Sequence, residues 1–503
     1  SEINPDAYYN QPYIRGGQIV EQWGDVETAQ GEYDFQKIDV QLEDFHRRGL
    51  YTTIQINGNR KPAWLFSAVP HIKEKLSVQV RDSQGTLMYW HPVHLDAYLS
   101  LLRAFAEYIG ETPYRETLLG IRMNFNAIGT EHHSIPPEYR APEVWNVPDD
   151  VDPDTLVPWT REVGDSYIEA VMDAYVALST KGIGVFVRNG IPAAQEERYR
   201  KLFETGALNW FHTSSEAEPR STGTEKRYLR FVAYCRTGMT VAYAEPWASA
   251  WGHHGGQTDD RWCSPPQWNY WRLLNDLHCG VSCIALYATD MRVAVEGVYK
   301  SQGVHYNDPG GAYQREFDSA FRFAAMYAGY HASPAQSPGA WIAFRENGVV
   351  RAENGMPAER RKLASLNGDY TFLMRRLPGD ASHGQDMVNI GPGEQRFGAW
   401  ARKLPPNETM RLAIDPAFLE SAIGQRLRLK VTYFDDGTHV FRCDSSFGIA
   451  GEVKLRDTAK WVTEAFDVDM QTSASAQNGA HVRIINTTTP LMLHMVEVLR
   501  IDD

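Results

Sequence analysis

Two glutamates stand where a reacting carboxylate would be needed. Glu131 follows the β-rich run Gly120-Ile121-Arg122-Met123-Asn124-Phe125-Asn126 and the turn Ala127-Ile128-Gly129-Thr130, and His132 and His133 come next. Glu245 closes Met239-Thr240-Val241-Ala242-Tyr243-Ala244 and precedes Pro246-Trp247. A proline cannot donate to a strand ladder, so the strand stops there and leaves the carboxylate at its end. Glycoside hydrolysis requires two carboxyl groups flanking one bond, separated by about 5 to 5.5 Å for retention and by about 6.5 to 9.5 Å for inversion. Glu216 and Glu218, in Ser214-Ser215-Glu216-Ala217-Glu218-Pro219, also follow a strand-like run and are the rivals of Glu245.

The elements that must position these groups are legible as an alternation. Strand-like runs fall at 17–23, 51–57, 119–126, 183–188, 209–213, 240–245 and 281–288. Amphipathic segments at 36–48, 95–109, 163–180, 195–204, 267–277 and 317–328 carry the i, i+3, i+4 apolar spacing of helices. Such alternation predicts parallel strands joined by right-handed crossovers, here a (β/α)8 TIM barrel with its reactive groups at the carboxyl ends of the strands. Two runs lie between those that deliver Glu131 and Glu245, so the glutamates are expected to face each other across the barrel mouth. The eighth strand is expected either in 6–14 or inside the long 60–93 insertion. There, 78–80 and 86–89 read as a hairpin around Asp82-Ser83-Gln84-Gly85.

After Ser333-Pro334 the pattern becomes short β runs with turn signals such as Asp435-Asp436-Gly437. The predicted organisation is a barrel over 1–334 and a jelly-roll-like β-sandwich over 335–503, with room for a small β linker at 335–380. The closing Leu493-His494-Met495-Val496-Glu497-Val498 alternates apolar and polar, as a half-buried strand does. A chain of 503 residues suits a barrel plus a smaller module.

Composition narrows the partners. A net charge of −13 without a long Lys/Arg run lacks the footprint of a nucleic-acid binder. No apolar stretch reaches membrane-spanning length, so no membrane partner is expected. Five cysteines, with Cys279 and Cys283 four apart, indicate neither a disulfide framework nor a zinc site, and no metal or cofactor is expected. The adjacent pairs His132-His133 and His253-His254 lack a ligand-spaced partner and read as hydroxyl-binding or loop residues. The start, Ser1-Glu2-Ile3-Asn4, has no charged-then-apolar leader; that fits a secreted or periplasmic protein whose signal has been removed, or a cytoplasmic one. The 14 Trp, 25 Tyr and 20 Phe are mostly packing residues, but rings on loops are also what sugar faces stack on.

A resemblance adds to this. Trp23-Gly24-Asp25-Val26-Glu27, then Gly31-Glu32-Tyr33-Asp34-Phe35, Ile38-Asp39 and Pro62-Ala63-Trp64-Leu65 resemble the signature of clan A glycoside hydrolases, such as the family 42 and family 39 groups, over roughly residues 16–330. The resemblance implies a retaining β-glycosidase acting on an oligo- or polysaccharide, with a β-galactoside or galactan as the first substrate class. It also implies an acid/base after the fourth strand and a nucleophile ending the seventh. Glu131 and Glu245 take those places if one early strand is still to be found. In that assignment Glu131, screened among aromatic and histidine neighbours, stays protonated to assist the leaving oxygen, and Glu245 attacks the anomeric carbon. The clan places Asn directly before its acid/base; here Asn124 or Asn126 would have to supply that hydrogen bond to the sugar. Asn57 and Glu21 at early strand ends, His132, Trp64, Trp247 and Trp251 complete the expected substrate-binding set, while Glu27 and Asp34 are expected to fix their loop. The rival reading is a non-catalytic carbohydrate-binding protein on the same scaffold.

Overall fold

The computed structural model describes residues 5–188, 191, 193–212, 240–246, 248–250, 264–301, 304–307, 311–345, 368–387, 390–471, 476 and 478–501. The chain forms two compact units, one spanning Ile14–Phe211 and the other combining Ser1–Tyr13 with His212–Asp503. The class is mixed α/β.

In the Ile14–Phe211 unit, β1 (Gly16–Gln22), β2 (Tyr51–Asn57), β3 (Leu118–Arg122), β4 (Val185–Arg188) and β5 (Leu208–His212) pair in chain order, all parallel. Register runs from Gly16 opposite Tyr51 to Gln22 opposite Asn57, and continues through Ile54, Ile121, Val185 and Leu208. Helices α1 (Gln36–Arg47), α2 (Pro92–Glu111) and α3 (Arg161–Thr180) form the first three crossovers. A parallel strand covered on both faces must be apolar or internally bonded throughout, and Thr52–Ile56 and all four residues of β4 are buried. On α1 the buried residues are Ile38, Leu42 and Phe45, one stripe at helical spacing. Proline opens α2, and the Thr160 hydroxyl caps α3 by accepting the Val163 N–H.

The early strand sought in the sequence is not found among the described residues. Pro5–Tyr9 is a short helix, and the 60–93 insertion pairs only His71–Ile72 with Thr86–Leu87. Among the described residues, Glu131 therefore follows the third of the parallel strands in chain order, and Glu245 the sixth. The expected hairpin is also corrected: 78–80 is not a strand, and Val78 is 96% exposed. The Thr86 hydroxyl donates to Glu74 O and accepts from Leu76 N, which draws its strand to 71–72 instead.

The second unit begins its α/β part with β6 (Ala242–Ala244) parallel to β7 (Cys283–Ile284). Helix α4 (Pro265–Cys279) opens with a Ser264/Gln267 capping box and ends on Gly280 at φ +88°; α5 (Ala288–Glu296) and α6 (Ala312–Tyr327) follow. Strands β8 (Gly339–Ala343), β9 (Tyr370–Phe372), β10 (Met374–Arg376), β11 (His383–Met387), β12 (Ala399–Leu404), β13 (Thr409–Ile414), β14 (Arg426–Asp435), β15 (Val440–Ser445), β16 (Ala450–Lys454), β17 (Lys460–Asp469), β18 (Val482–Asn486) and β19 (Leu491–Ile501) build two antiparallel sheets. One runs β9-β8-β19-β12-β11 with β14 and β17 joined through β19, and the other runs β10-β13-β18-β15-β16. Alternate residues Leu427, Leu429, Val431 and Tyr433 of β14 share a core with Met410, Leu412, Phe441, Val482 and Ile484. Strands of 339–376 pair within these sheets.

The closing strand departs from simple alternation. Thr432 pairs with Met495 but Tyr433 pairs with Leu493, so the register slips at His494. This bulge resets the side-chain phase, and Leu491 and Leu493 before it share the core with Val496 and Val498 after it. Instead of a solvated face, β19 presents buried His494 to the Tyr270 hydroxyl of α4 at 3.1 Å. Buried Glu497 accepts from the Tyr327 hydroxyl of α6 at 2.6 Å and pairs with Lys430 at 3.2 Å.

Candidate active site

Glu131 is brought back over the end of β3 by a tight loop. Beyond β3 the chain stays extended, with Met123 N donating to Phe186 O, until Asn126 turns at φ +50°. Phe125 N and Asn126 N then both donate to Thr130 O at 3.0 Å, and Ile128 N donates to His132 O at 2.9 Å. Three phenols from neighbouring segments pin this stretch. Tyr98 and Tyr167 donate to Asn124 O and Phe125 O at 2.9 and 2.8 Å, and Tyr89 donates to His133 O at 2.6 Å. Burial raises all three phenols and so keeps them donors.

The carboxylate itself is clamped at both oxygens. Arg188, which ends β4 and is buried, donates Nη1 to Glu131 Oε2, Nη2 to Asn124 Oδ1 and Nε to Met123 O. Gln79 Nε2 donates to Glu131 Oε1 at 3.0 Å. The Gln79 amide cannot flip without loss, because its Oε1 accepts Thr130 N at 2.9 Å and Glu131 N at 3.3 Å. Gly129 stands at φ +85° directly against Gln79; a β-carbon there would fall 2.5 Å from the Gln79 Cβ. The Glu131 side chain keeps 28% of its surface exposed, while that of Arg188 keeps 3%. Among the described residues, the hydrogen-bond partners of the carboxylate are a guanidinium and an amide, with a histidine, as expected from the sequence, farther off. His132 is exposed, with Nε2 4.0 Å from Glu131 Oε1 and Nδ1 at 2.5 Å from the Ser77 hydroxyl. Burial lowers the pKa of His133, which favours its neutral form.

The other expected binding residues divide by exposure. Asn124 and Asn126 are both 0% exposed. Asn124 accepts from Gln55 and Arg188 and donates to Ile56 O and Asn57 Oδ1. Asn126 donates to Ile56 O and accepts Gly58 N. Both tie β2 to the β3 loop. Glu21 accepts from Gln41 of α1 at 2.7 Å and so points to the helix side of β1, because successive strand residues face opposite ways. Asn57 and Trp64 are half-buried near the same strand ends. Glu27 accepts the Trp23 indole N–H at 2.7 Å and Gly31 N at 2.9 Å, and Asp34 accepts Gln36 N at 2.8 Å; both fix their loop as expected.

In the second unit Glu245 is half-buried immediately after β6; nearby, burial raises the pKa of the Tyr287 phenol, with smaller contributions from Asp290, Tyr299 and, least, Glu245. Asp290 is buried at the start of α5, with both oxygens on Ala250 N, and burial pushes its pKa up to about 7. Trp247, Trp251, Glu216, Glu218, His253 and His254 lie outside the described residues.

Arg188, Gln79 and Lys61 are the residues that sequence reasoning missed. Lys61, buried just beyond the end of β2, donates to Gly58 O at 2.8 Å, and burial brings its pKa down to about 8. For Arg188 there was a signal, a cation closing the otherwise apolar Val185-Phe186-Val187. Two surface grooves lie elsewhere. One, of about 420 Å³, is lined by Leu99, Leu102, Ala170 and Ala174 of α2 and α3; the other, of about 460 Å³, lies at the strand starts by Arg115, Leu118 and Gly182. Neither includes Glu131.

No protein-family model matches the sequence, and no curated protein matches it. Solved structures resemble it loosely. A glucosidase from Croceicoccus marinus aligns over 99% of this chain and 91% of its own, at 9% identity and a TM-score of 0.32. The C-terminal CBM6 of LamC, a marine laminarinase from Zobellia galactanivorans, aligns over 25% of this chain and 98% of its own, at 11% identity and 0.17. An exo-beta-1,3-galactanase from Phanerochaete chrysosporium aligns over 25% of this chain and 27% of its own, at 9% and 0.17. Likenesses at this level carry neither fold nor function to this chain.

Proposed function

We propose that this chain is a retaining glycoside hydrolase of clan A type on a (β/α)8 scaffold. It cleaves a β-glycosidic bond of an oligo- or polysaccharide, with Glu131 and Glu245 as its two carboxylates. The observation that carries the reading is the treatment of Glu131. A part-exposed carboxylate sits past the carboxyl end of a parallel strand and is held at both oxygens by side chains that are themselves fixed. A surface glutamate would be free to rotate, and ordering such a side chain costs conformational entropy that solvation alone does not return. Glu245, the residue directly after β6, supplies the second carboxyl group that the chemistry requires. The sandwich either contacts glycan or buttresses the barrel, and its polar contacts to α4 and α6 favour the buttress.

A panel of chromogenic β-glycosides, together with digestion of β-linked glycans, tests the reading. Turnover is expected, with Glu131→Ala and Glu245→Ala each lowering kcat/KM by several orders of magnitude in folded protein. Glycan binding without turnover in the unsubstituted protein would make it a carbohydrate-binding protein instead.

A further inference from the structure

We infer that the turn at 77–80, with His132 beside it, receives the leaving-group sugar, the pyranose whose oxygen departs, and that Val78 and His132 select that sugar. The inference rests on the glycosidase reading above, with Glu131 in the acid/base role that the clan A resemblance implies. A general acid has to stand beside the oxygen it protonates, and that oxygen belongs to the leaving group. What borders the acid on its open side is therefore what the leaving group meets.

Exposure identifies the open side. Arg188, with only 3% of its side chain exposed, closes the Oε2 edge of Glu131. The Oε1 edge faces Gln79 Nε2 at 3.0 Å and His132 Nε2 at 4.0 Å; Gln79 is half-buried and the His132 side chain is 46% exposed. A carboxyl oxygen has two lone-pair sites, so the Gln79 N–H leaves Oε1 room for a proton. A sugar chain that continues beyond the cleaved bond leaves on this solvent side, over the turn.

The turn holds Val78 out in a fixed place. Val80 N donates to Ser77 O at 3.0 Å and Gln79 N donates to the Ser77 hydroxyl at 3.1 Å. Ser77 and Val80 at the base are buried, while Val78 at the tip is 96% exposed. Both neighbours of Val78 are tied to the loop that carries Glu131. Ser77 Oγ lies 2.5 Å from His132 Nδ1, and Gln79 Oε1 accepts Thr130 N and Glu131 N. A single exposed valine is ordinary on a surface. One held rigidly next to the residue that hydrogen-bonds the acid is placed to pack against the apolar C–H face of a pyranose. Ser77 takes Nδ1 of His132, and Nε2, on the side of Glu131, is the nitrogen that meets a hydroxyl of the same sugar.

The test is a ratio of two kcat/KM values, one for a β-linked disaccharide that the protein hydrolyses and one for the methyl β-glycoside of the same glycone. Both leaving groups are alcohols that need the acid's proton, but methanol has no sugar face, so a variant that merely disturbs Glu131 lowers both values together. Val78→Asp and His132→Ala are each expected to lower the disaccharide-to-methyl ratio about 10-fold, whereas Val78→Leu, which keeps an apolar surface, should hold it within about 2-fold. A ratio unchanged in Val78→Asp, or lowered as far by Val78→Leu, would overturn the inference and leave the glycosidase reading intact. No hydrolysis of any glycoside by the unsubstituted protein would overturn both.

Discussion

Asp290 gives the pH dependence most open to measurement. Its carboxyl group is 2% exposed and accepts the Ala250 N–H at 3.1 and 2.9 Å, and burial carries its pKa from 3.8 up to about 7. The folded protein therefore holds this proton over a range in which the unfolded chain has already released it. The contribution of Asp290 to stability is complete below pH 3.8 and is lost as pH rises toward about 7. Across about three pH units at about 1.4 kcal/mol per unit, the loss is at most about 4 kcal/mol, reduced by any local relaxation that admits water. Asp290→Asn keeps an oxygen for the Ala250 N–H and removes the ionisation. Urea unfolding of both proteins, followed by circular dichroism from pH 4 to 8, should give near-equal stability at the acid end and a growing advantage for the variant toward pH 7.5. Parallel profiles across that window would refute the burial reasoning.

Other consequences follow from single contacts. Glu27→Ala strips the acceptor from two N–H groups, those of Trp23 and Gly31, and should cost about 3 kcal/mol in urea unfolding without abolishing turnover. A result near zero would mean that the Trp-x-x-x-Glu segment is not a structural clasp. Gly58→Ala would set a β-carbon 2.8 Å from the Cβ and Cγ of Asn126, which internal hydrogen bonds hold in place. A loss of about 1 to 3 kcal/mol is expected from thermal melts. Burial pushes the pKa of His494 down to about 3, below its ordinary 6.5, so its contribution is present above pH 6.5 and is lost as pH falls toward 3. His494→Gln should flatten the acid limb of unfolding read by tryptophan fluorescence, and an unchanged slope would count against the burial of a neutral imidazole.

How much of this was legible in the sequence depended on whether the determining contact was local. Strand β2 was delimited at 51–57 because both of its faces are covered and its ends fall at a turn and a Gly. Helices α1 to α3 were legible from their apolar stripes to within a few residues. Ranges drifted where the chain stays extended after leaving a ladder, as in 119–126 against Leu118–Arg122, since extended backbone and paired backbone look alike in residue type. The partner of Thr86–Leu87 was misassigned because side-chain hydrogen bonds across the insertion, not turn type, chose it. The bulge in β19 is defined by its partners' register, which residue alternation along one strand does not encode. In the site, the position of Glu131 was legible, but its charge partner was not, for Arg188 is 57 residues away and no spacing rule joins them. The burial of Asn124 and Asn126 was hidden for the same reason: a strand-end asparagine reads alike whether it faces a ligand or braces a neighbouring loop.

The central claim is cleavage with two carboxylates and net retention, and the anomer released first tests it most directly. Proton NMR during hydrolysis of an activated β-glycoside that the protein turns over should show the β-anomer accumulating first, with the α-anomer appearing only as the sugar mutarotates. The α-anomer as the first product would contradict the double displacement and, with it, any covalent glycosyl-enzyme.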